Sequence, residues 1–201
     1  YISAIYMDES RAGLAFSDVT TGKTHLTSFT GSEKLIHVMN ELGRFSPVEA
    51  VLNDGAYAEG ELLALLRQKL NCRVENYGER RFRYEDAMRA IEKQFGEQAK
   101  SLPAANPPAA MALGGLLSYL YETQKTDLSH ISDLEYYEEG RFMELDLAAR
   151  RNLELTETLR NKEKRGSLLW VLDKTKTAMG ARCLRSWLER PLLSVAAINR
   201  R

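Results

Sequence analysis

The chain has 201 residues, of which 44% are hydrophobic and 28% are charged, and its formal net charge is zero. This balance excludes disordered, collagen-like and low-complexity proteins, and no apolar run reaches the roughly 18 residues that a membrane-spanning helix needs. Cys72 and Cys183 stand far apart and match no metal-ligand spacing, which predicts free thiols in a reducing compartment.

The charge is distributed unevenly along the chain. Residues 141–201 carry 14 basic and 7 acidic side chains, whereas residues 101–140 carry one basic and six acidic side chains. The overall zero is therefore the sum of unlike segments, which favours two structural units. The basic segment is compatible with a nucleic acid or an acidic partner, or with a solvated helical surface.

The first thirty residues predict an antiparallel meander of three strands, Tyr1–Met7, Gly13–Val19 and His25–Phe29, joined by short polar turns. The first strand is apolar on both alternating faces, so we expect it to be covered on both sides. The turn Gly22-Lys23-Thr24 resembles the end of a phosphate-binding loop. It lacks the required glycine five residues earlier, where Ser17 stands, and it joins two strands, so we predict a plain turn.

Helices then alternate with strands. Thr30 and Glu33 form a predicted capping box for a helix that ends at Gly43. Apolar spacing predicts the elements that follow: a strand over Glu49–Leu52, a helix over Leu62–Leu70, a strand over Cys72–Asn76 and an amphipathic helix over Tyr84–Phe95.

A further helix is apolar nearly all round. Asn106 is its predicted cap, and Ala109–Tyr121 is expected to be buried. The pair Gly114-Gly115 costs helix stability, which is tolerable if it lets the helix approach the sheet closely.

This order of elements predicts an α/β fold, a ribonuclease-H-like mixed sheet flanked by helices, over residues 1–130. After residue 130 the pattern becomes helical, which predicts a second, incomplete α-helical domain over residues 131–201. There, Asp146 is the predicted cap of a helix that carries Ala149 and Leu153, and Ser167–Leu172 is predicted to be a short apolar turn. Thr177 begins a helix that ends before Pro191. That helix is predicted to bury Cys183, Leu184, Trp187 and Leu188, while Arg182, Arg185 and Arg190 point elsewhere.

A ribonuclease-H-like order raises the possibility of a two-metal nuclease, which needs carboxylates that converge on ions ~3.5–4 Å apart. The available acids are Asp8, Asp18, Glu41 and Asp54, and the buried helix contributes none. We therefore predict no catalytic, cofactor-binding or metal-binding residue in this chain and keep a metal-dependent nuclease, acting through Asp8, Asp18 and Asp54, as the alternative.

Two surfaces are candidates for binding a partner. The outer face of the Tyr84–Phe95 helix presents Arg89, Glu92 and Lys93. The second surface is a basic loop, which contains Arg160, Lys162, Lys164 and Arg165. The loop could contact phosphate, although no aromatic platform is interleaved and an exposed loop is the alternative.

Several blocks together resemble one family. The segment 145–155 is followed by Ser167–Asp173, then by Thr175–Gly180 and by Trp187–Leu192, and in this order they resemble the start of the core domain of MutS, the bacterial mismatch-recognition ATPase. The earlier part resembles the MutS connector domain at 13–22, at Gln94-Phe95-Gly96 and at Thr123-Gln124-Lys125.

The resemblance implies a non-catalytic connector that couples mismatch recognition to the core and ATPase domains and offers surface for the partner MutL. It also implies a cytoplasmic, homodimeric full-length protein that binds mismatched double-stranded DNA and uses ATP and Mg²⁺ outside this segment. Because no Met precedes Tyr1 and only two turns follow Ser194, we expect the chain to be part of a longer protein. On this basis Arg89, Glu92 and Lys93 are the predicted partner-binding residues, with a solvated helix face as the alternative.

Overall fold

The structure is a computed structural model, and it describes residues 1–102, 106–123, 128–138, 140–143 and 145–201. Gln124 and Lys125 of the connector resemblance lie outside the described residues. The chain divides into two compact units, Tyr1–Glu139 and Gly140–Arg201, which are called unit 1 and unit 2.

Unit 1 is built on one mixed sheet. Its strands are β1 Ile2–Met7, β2 Arg11–Asp18, β3 Lys23–Thr30, β4 Glu49–Leu52, β5 Arg73–Asn76 and β6 Asp133–Tyr136. They lie in the order β5-β4-β1-β2-β3-β6. The β1-β2 and β2-β3 pairs are antiparallel. The β1-β4, β4-β5 and β3-β6 pairs are parallel. The predicted meander and the α/β class are confirmed.

Strand β6 lies where the sequence pattern predicted only helix. It has four residues and only Leu134 and Tyr136 among them are partly buried apolar side chains, so its alternation is too short to be recognised. Its position comes from parallel pairing with β3 at the sheet edge, in the register Lys23↔Asp133 to Leu26↔Tyr136.

The helices of unit 1 are α1 Lys34–Phe45, α2 Asp54–Tyr57, α3 Gly60–Ala64, α4 Tyr84–Phe95 and α5 Pro107–Thr123. A π turn continues α3 over Leu65–Lys69, and 3-10 turns cover Glu79–Phe82 and Gly96–Ser101.

The predicted limits of α1 were wrong at both ends. Thr30 is the last residue of β3, and Glu33 caps the helix without a side-chain bond. The helix passes through Gly43 and ends at Phe45, after which Ser46 takes φ 44°. Tertiary packing extends it, because the Phe45 ring stacks on Phe16 with centroids 4.0 Å apart.

The core lies on both faces of the sheet. All six residues of β1 are buried. Ile2, Ala4 and Tyr6 pack in the cluster that α4 and α5 form on one face, while the stacked Phe16–Phe45 pair joins α1 to the sheet. The prediction that β1 is covered on both sides is confirmed.

The glycine pair of α5 faces helix α4 and the turn before it, not the sheet. A Cβ at Gly114 would lie 2.3 Å from the Cβ of Ala87, and one at Gly115 would lie 2.5 Å from the Phe82 ring. The close approach of α5 to the sheet occurs instead at Gly13, where a Cβ would lie 1.9 Å from the Pro108 carbonyl oxygen. The glycine pair does allow a close approach, as predicted, but the element that it approaches is α4 and the turn before it, not the sheet.

Unit 2 contains the helices α6 Leu147–Asn152, α7 Leu168–Leu172, α8 Ala178–Glu189 and α9 Val195–Asn199. Side chains of Asp146 and Thr177 accept backbone N–H bonds at the starts of α6 and α8, as predicted. Ser167 caps α7 in the same way, where the sequence predicted only an apolar turn.

The predicted burial of α8 was wrong. No residue of this helix is buried, Cys183 is exposed and Trp187 is 41% exposed. Conversely, Arg190, predicted to point away, is buried and lies 5.7 Å from the centroid of the Phe142 ring. The apolar face of α8 exists as the spacing predicts, but the described residues cover it only in part: Leu184 and Leu188 are half-buried, whereas Cys183 and Trp187 are exposed.

Candidate functional site: the α4 face and the basic loop

Helix α4 presents the predicted docking residues on its outer side. Its bounds, Tyr84–Phe95, match the prediction, and Ala87, Ile91 and Phe95 are its buried residues. Arg89, Glu92 and Lys93 are all exposed. The helix ends because Gly96 takes φ 53°, a conformation that glycine adopts without strain.

Arg89 is held against its own helix. Its guanidinium forms an ion pair with Asp86, and its Nε donates to the Glu85 carbonyl at 3.4 Å. The Arg89 side chain is 74% exposed, so this pair contributes little stability and leaves the cation accessible.

Lys93 lies over an aromatic ring from the neighbouring helix. Its Nζ is 5.5 Å from the centroid of Tyr121, whose hydroxyl donates to Gln94 Oε1 at 2.5 Å. Burial raises the pKa of the Tyr121 hydroxyl, so it stays a neutral donor. The sequence pattern gave no sign of this platform, because Tyr121 was predicted as the end of a buried helix and is 42% exposed.

Glu92 faces a different feature, a shallow groove of about 410 Å³ beside α4. The groove has apolar walls from Met88 and Leu102 and charged side chains from Glu92, Glu97 and Lys100. Lys100 is paired with Glu97 at 2.7 Å. The three predicted docking residues therefore share one helix surface but do not converge on one point.

The basic loop of unit 2 closes on itself. The Thr158 N–H donates to the Glu163 carbonyl at 2.9 Å, and the Lys162 N–H donates to the Thr158 carbonyl at 3.1 Å. Lys162 takes φ 54°. Its side chain and those of Arg160 and Arg165 are exposed.

Lys164 differs from the other cations of the basic loop. Its Nζ lies 2.5 Å from Asp173 Oδ2. This hydrogen bond, together with those from Thr175, lowers the pKa of Asp173 to about 2. Lys164 thus ties the loop to the end of α7, which leaves three of the four predicted cations as candidates for phosphate contact.

The three acids of the nuclease alternative do not share one site, because Asp18 lies far from Asp8 and Asp54, which follow the ends of the neighbouring strands β1 and β4. Asp8 precedes β2 and Asp18 ends it, so this eight-residue strand separates them by about 23 Å. Asp54 follows β4 and accepts hydrogen bonds from Asn76 Nδ2 at 3.0 Å and from the Glu79 N–H at 3.2 Å. Within the described residues no group of three or more His, Cys, Asp or Glu side chains could hold a metal ion.

Gly22 ends the turn between β2 and β3, as predicted, whereas Lys23 and Thr24 are already the first residues of β3 and pair with β2. Gly22 takes φ 74°, and a Cβ there would lie 1.9 Å from the His130 carbonyl oxygen, so the backbone conformation and the close contact both require glycine at this position. In the part of the chain that the structure describes, no helix combines the length and hydropathy needed to span a membrane.

Comparison with known proteins assigns the chain. The family model for MutS domain II matches residues 1–132, and the model for MutS domain III matches residues 148–201. The chain belongs to the MutS family. It is 39% identical over 201 residues to the DNA mismatch repair protein MutS of Ruminiclostridium cellulolyticum and 37% identical over 201 residues to that of Acetivibrio thermocellus.

A third MutS, from Symbiobacterium thermophilum, is 39% identical over 203 residues. Each alignment covers the whole of this chain and 23% of the relative. The chain thus spans less than a quarter of the length of the MutS proteins that it matches.

Proposed function

We propose that unit 1, Tyr1–Glu139, forms a ribonuclease-H-like connector domain and that unit 2, Gly140–Arg201, begins the helical core domain of a longer mismatch repair protein. This boundary lies after the 130/131 boundary expected from the sequence, because β6 belongs to the sheet of unit 1. The observation that carries the proposal is the succession of the MutS domain II and domain III matches over this one chain. The β5-β4-β1-β2-β3 order, an antiparallel meander extended by two parallel strands, supports a ribonuclease-H-like fold.

In this proposal the segment itself is not an enzyme. The separation of Asp8 from Asp18 argues against a two-metal site in the sheet. In this proposal ATP and Mg²⁺ act elsewhere in the full-length protein. Gly22-Lys23-Thr24 runs from a turn into strand β3 and opens no helix, so it does not form a phosphate-binding loop. The full-length protein is a cytoplasmic homodimer that binds mismatched double-stranded DNA and recruits MutL.

The α4 face is the proposed contact with MutL. Arg89 is an accessible cation, and Lys93 with Tyr121 forms a cation–aromatic pair that a partner carboxylate can approach. Rim charges of this kind steer association and select partners more than they add affinity.

Charge reversal tests this contact in the full-length protein. Arg89→Glu with Lys93→Glu should weaken MutL capture on mismatched DNA, and Lys69→Glu, an exposed cation on the π turn, is the matched control. The difference in MutL capture between the double variant and the wild type should become smaller at high salt, because salt screens exposed charges. Undiminished capture by a folded double variant would refute the α4 contact.

The basic loop carries a weaker proposal, contact with DNA phosphates. Phosphate contacts hold no sequence information, so binding through Arg160, Lys162 and Arg165 should be weak, salt-sensitive and indifferent to a mismatch. Fluorescence anisotropy of the chain with matched and mispaired duplexes over a salt titration measures this. Preference for the mispaired duplex, or no loss on Arg160→Ala with Arg165→Ala, would contradict it.

A further inference from the structure

The end of unit 1, where the chain leaves the sheet, is held by buried charged groups. Tyr137 follows β6 directly and is 4% exposed. Its N–H donates to the Leu26 carbonyl at 3.0 Å, and its hydroxyl donates to Glu41 Oε2 at 2.5 Å. These bonds tie the end of the unit to β3 and to α1.

Glu41 also binds a buried arginine. The Nη2 of Arg44 lies 2.7 Å from Glu41 Oε2, and the two side chains are 6% and 14% exposed. The Arg44 guanidinium lies 5.0 Å from the centroid of the Tyr137 ring and 4.9 Å from that of Phe45. One arginine thus contacts the end of α1 and the segment that leaves the sheet.

A half-buried contact also joins β6 to β3. His25 and Glu135 are partners in the β3-β6 register, and His25 Nδ1 lies 3.2 Å from Glu135 Oε2, with the two side chains 4% and 36% exposed. The neighbouring Lys23–Asp133 pair, at 3.5 Å, is more than half exposed on both sides and adds little.

Buried ion pairs are an expensive way to stabilise a fold. Desolvation offsets most of their attraction, and apolar residues of similar volume often serve stability as well or better. Their best-attested use is to specify one geometry among several. At Tyr137 that geometry is the path by which the polypeptide leaves a four-residue strand at the edge of the sheet.

We propose that Glu41, Arg44 and Tyr137 form an exit anchor, a set of positioning residues that keeps β6 on the sheet when the rest of the protein moves. Without it, displacement of unit 1 would be absorbed by β6 separating from β3. With it, unit 1 moves as one body up to its last residues. This inference rests on the proposed connector function.

The local part of the anchor is testable in the 201-residue chain by hydrogen exchange. Tyr137→Phe removes the bond to a buried carboxylate and should speed exchange of the β6 amides about tenfold, with β1 and β2 unchanged. Tyr119→Phe is the matched control, because it removes a buried tyrosine hydroxyl bond to Glu49 elsewhere in the unit. Unchanged β6 exchange, or equal acceleration in β1, would overturn the anchor.

A second variant guards against mere unfolding. Glu41→Leu with Arg44→Met replaces the buried charges with apolar groups of similar size, which should leave unit 1 folded. The β6 amides should still exchange faster than in the wild type, because Tyr137 has lost its acceptor. Wild-type exchange of β6 in this variant would refute the role of the charged pair.

The coupling part is tested in the full-length protein by ATP-triggered release of mismatched DNA. Tyr137→Phe should slow release several-fold while mismatch affinity stays at the wild-type value, and Tyr119→Phe should release normally. A flexible glycine–serine linker inserted after Glu138 is run alongside. If the linker slows release and Tyr137→Phe does not, the exit anchor fails alone; if neither slows release, the connector function fails with it.

Discussion

Replacing Gly114 with alanine tests how tightly unit 1 is packed between α4 and α5. The added Cβ would lie 2.3 Å from the Cβ of Ala87 and 2.5 Å from its Cα. Carbon atoms pack at about 3.5–4.0 Å, so the two helices must separate by more than about 1 Å there. Neither Ala87 atom belongs to a flexible side-chain end, so a rotamer change cannot relieve the contact.

The cost follows from two opposing effects. Overpacking of a filled interior costs about 1–3 kcal/mol, and the backbone contact argues for the upper end. Alanine recovers about 1 kcal/mol of helix propensity relative to glycine. The net destabilisation should be about 2 kcal/mol, which is about a 30-fold rise in the opening equilibrium of unit 1.

Hydrogen exchange of the β2 and α5 amides is the assay, because both tryptophans, Trp170 and Trp187, lie in unit 2 and do not report on unit 1. Gly60→Ala is the control. Gly60 is exposed at the start of α3, and a Cβ there meets nothing within 4 Å, so it should be neutral or stabilise by up to about 1 kcal/mol. Equal or slower exchange in Gly114→Ala would refute the packing argument.

Three further predictions concern single groups. Burial raises the pKa of the Cys72 thiol to about 11. Ellman's reagent at pH 8 should therefore react with one thiol per native chain, that of exposed Cys183, and with both thiols only after denaturation. Two fast reactions in the native chain would contradict this. The pKa of Asp173 is lowered from about 3.8 to about 2 by its bond from Lys164, so the loop is stabilised above pH 4 and loses this contribution as the pH falls towards 2. Lys164→Met should raise that pKa in a carboxyl NMR titration, and an unmoved titration would disprove the bond. Ser167→Ala removes a buried helix cap whose hydroxyl also donates to the Lys164 carbonyl at 2.7 Å. It should lower the free energy of unfolding of unit 2 by about 1–2 kcal/mol, measured by urea unfolding with tryptophan fluorescence. An unshifted unfolding midpoint would count against the cap.

Local chemistry explains what the sequence predicted correctly. Helix α4 has one clear apolar stripe, and the bounds Tyr84–Phe95 follow from that spacing. The meander follows from strands that are separated by turns. In these turns Asp8 and Asp18 accept backbone N–H bonds from residues two or three positions later in the chain.

The remainder depends on residues distant in the chain. Strand β6 exists through pairing with β3 more than a hundred positions earlier, and α1 extends past Gly43 because Phe45 stacks on Phe16. The functional contacts could not be predicted from the sequence for the same reason. Tyr121 contacts Lys93, and Tyr137 contacts Glu41, only when unit 1 is folded.

In the proposed function, unit 1 transmits motion and performs no chemistry. The most direct measurement is ATP-triggered release of mismatched DNA by the full-length protein with a flexible linker inserted after Glu138. We predict that mismatch affinity and ATP hydrolysis persist while release slows markedly, because the linker absorbs the displacement. Release at the wild-type rate would contradict the proposed function.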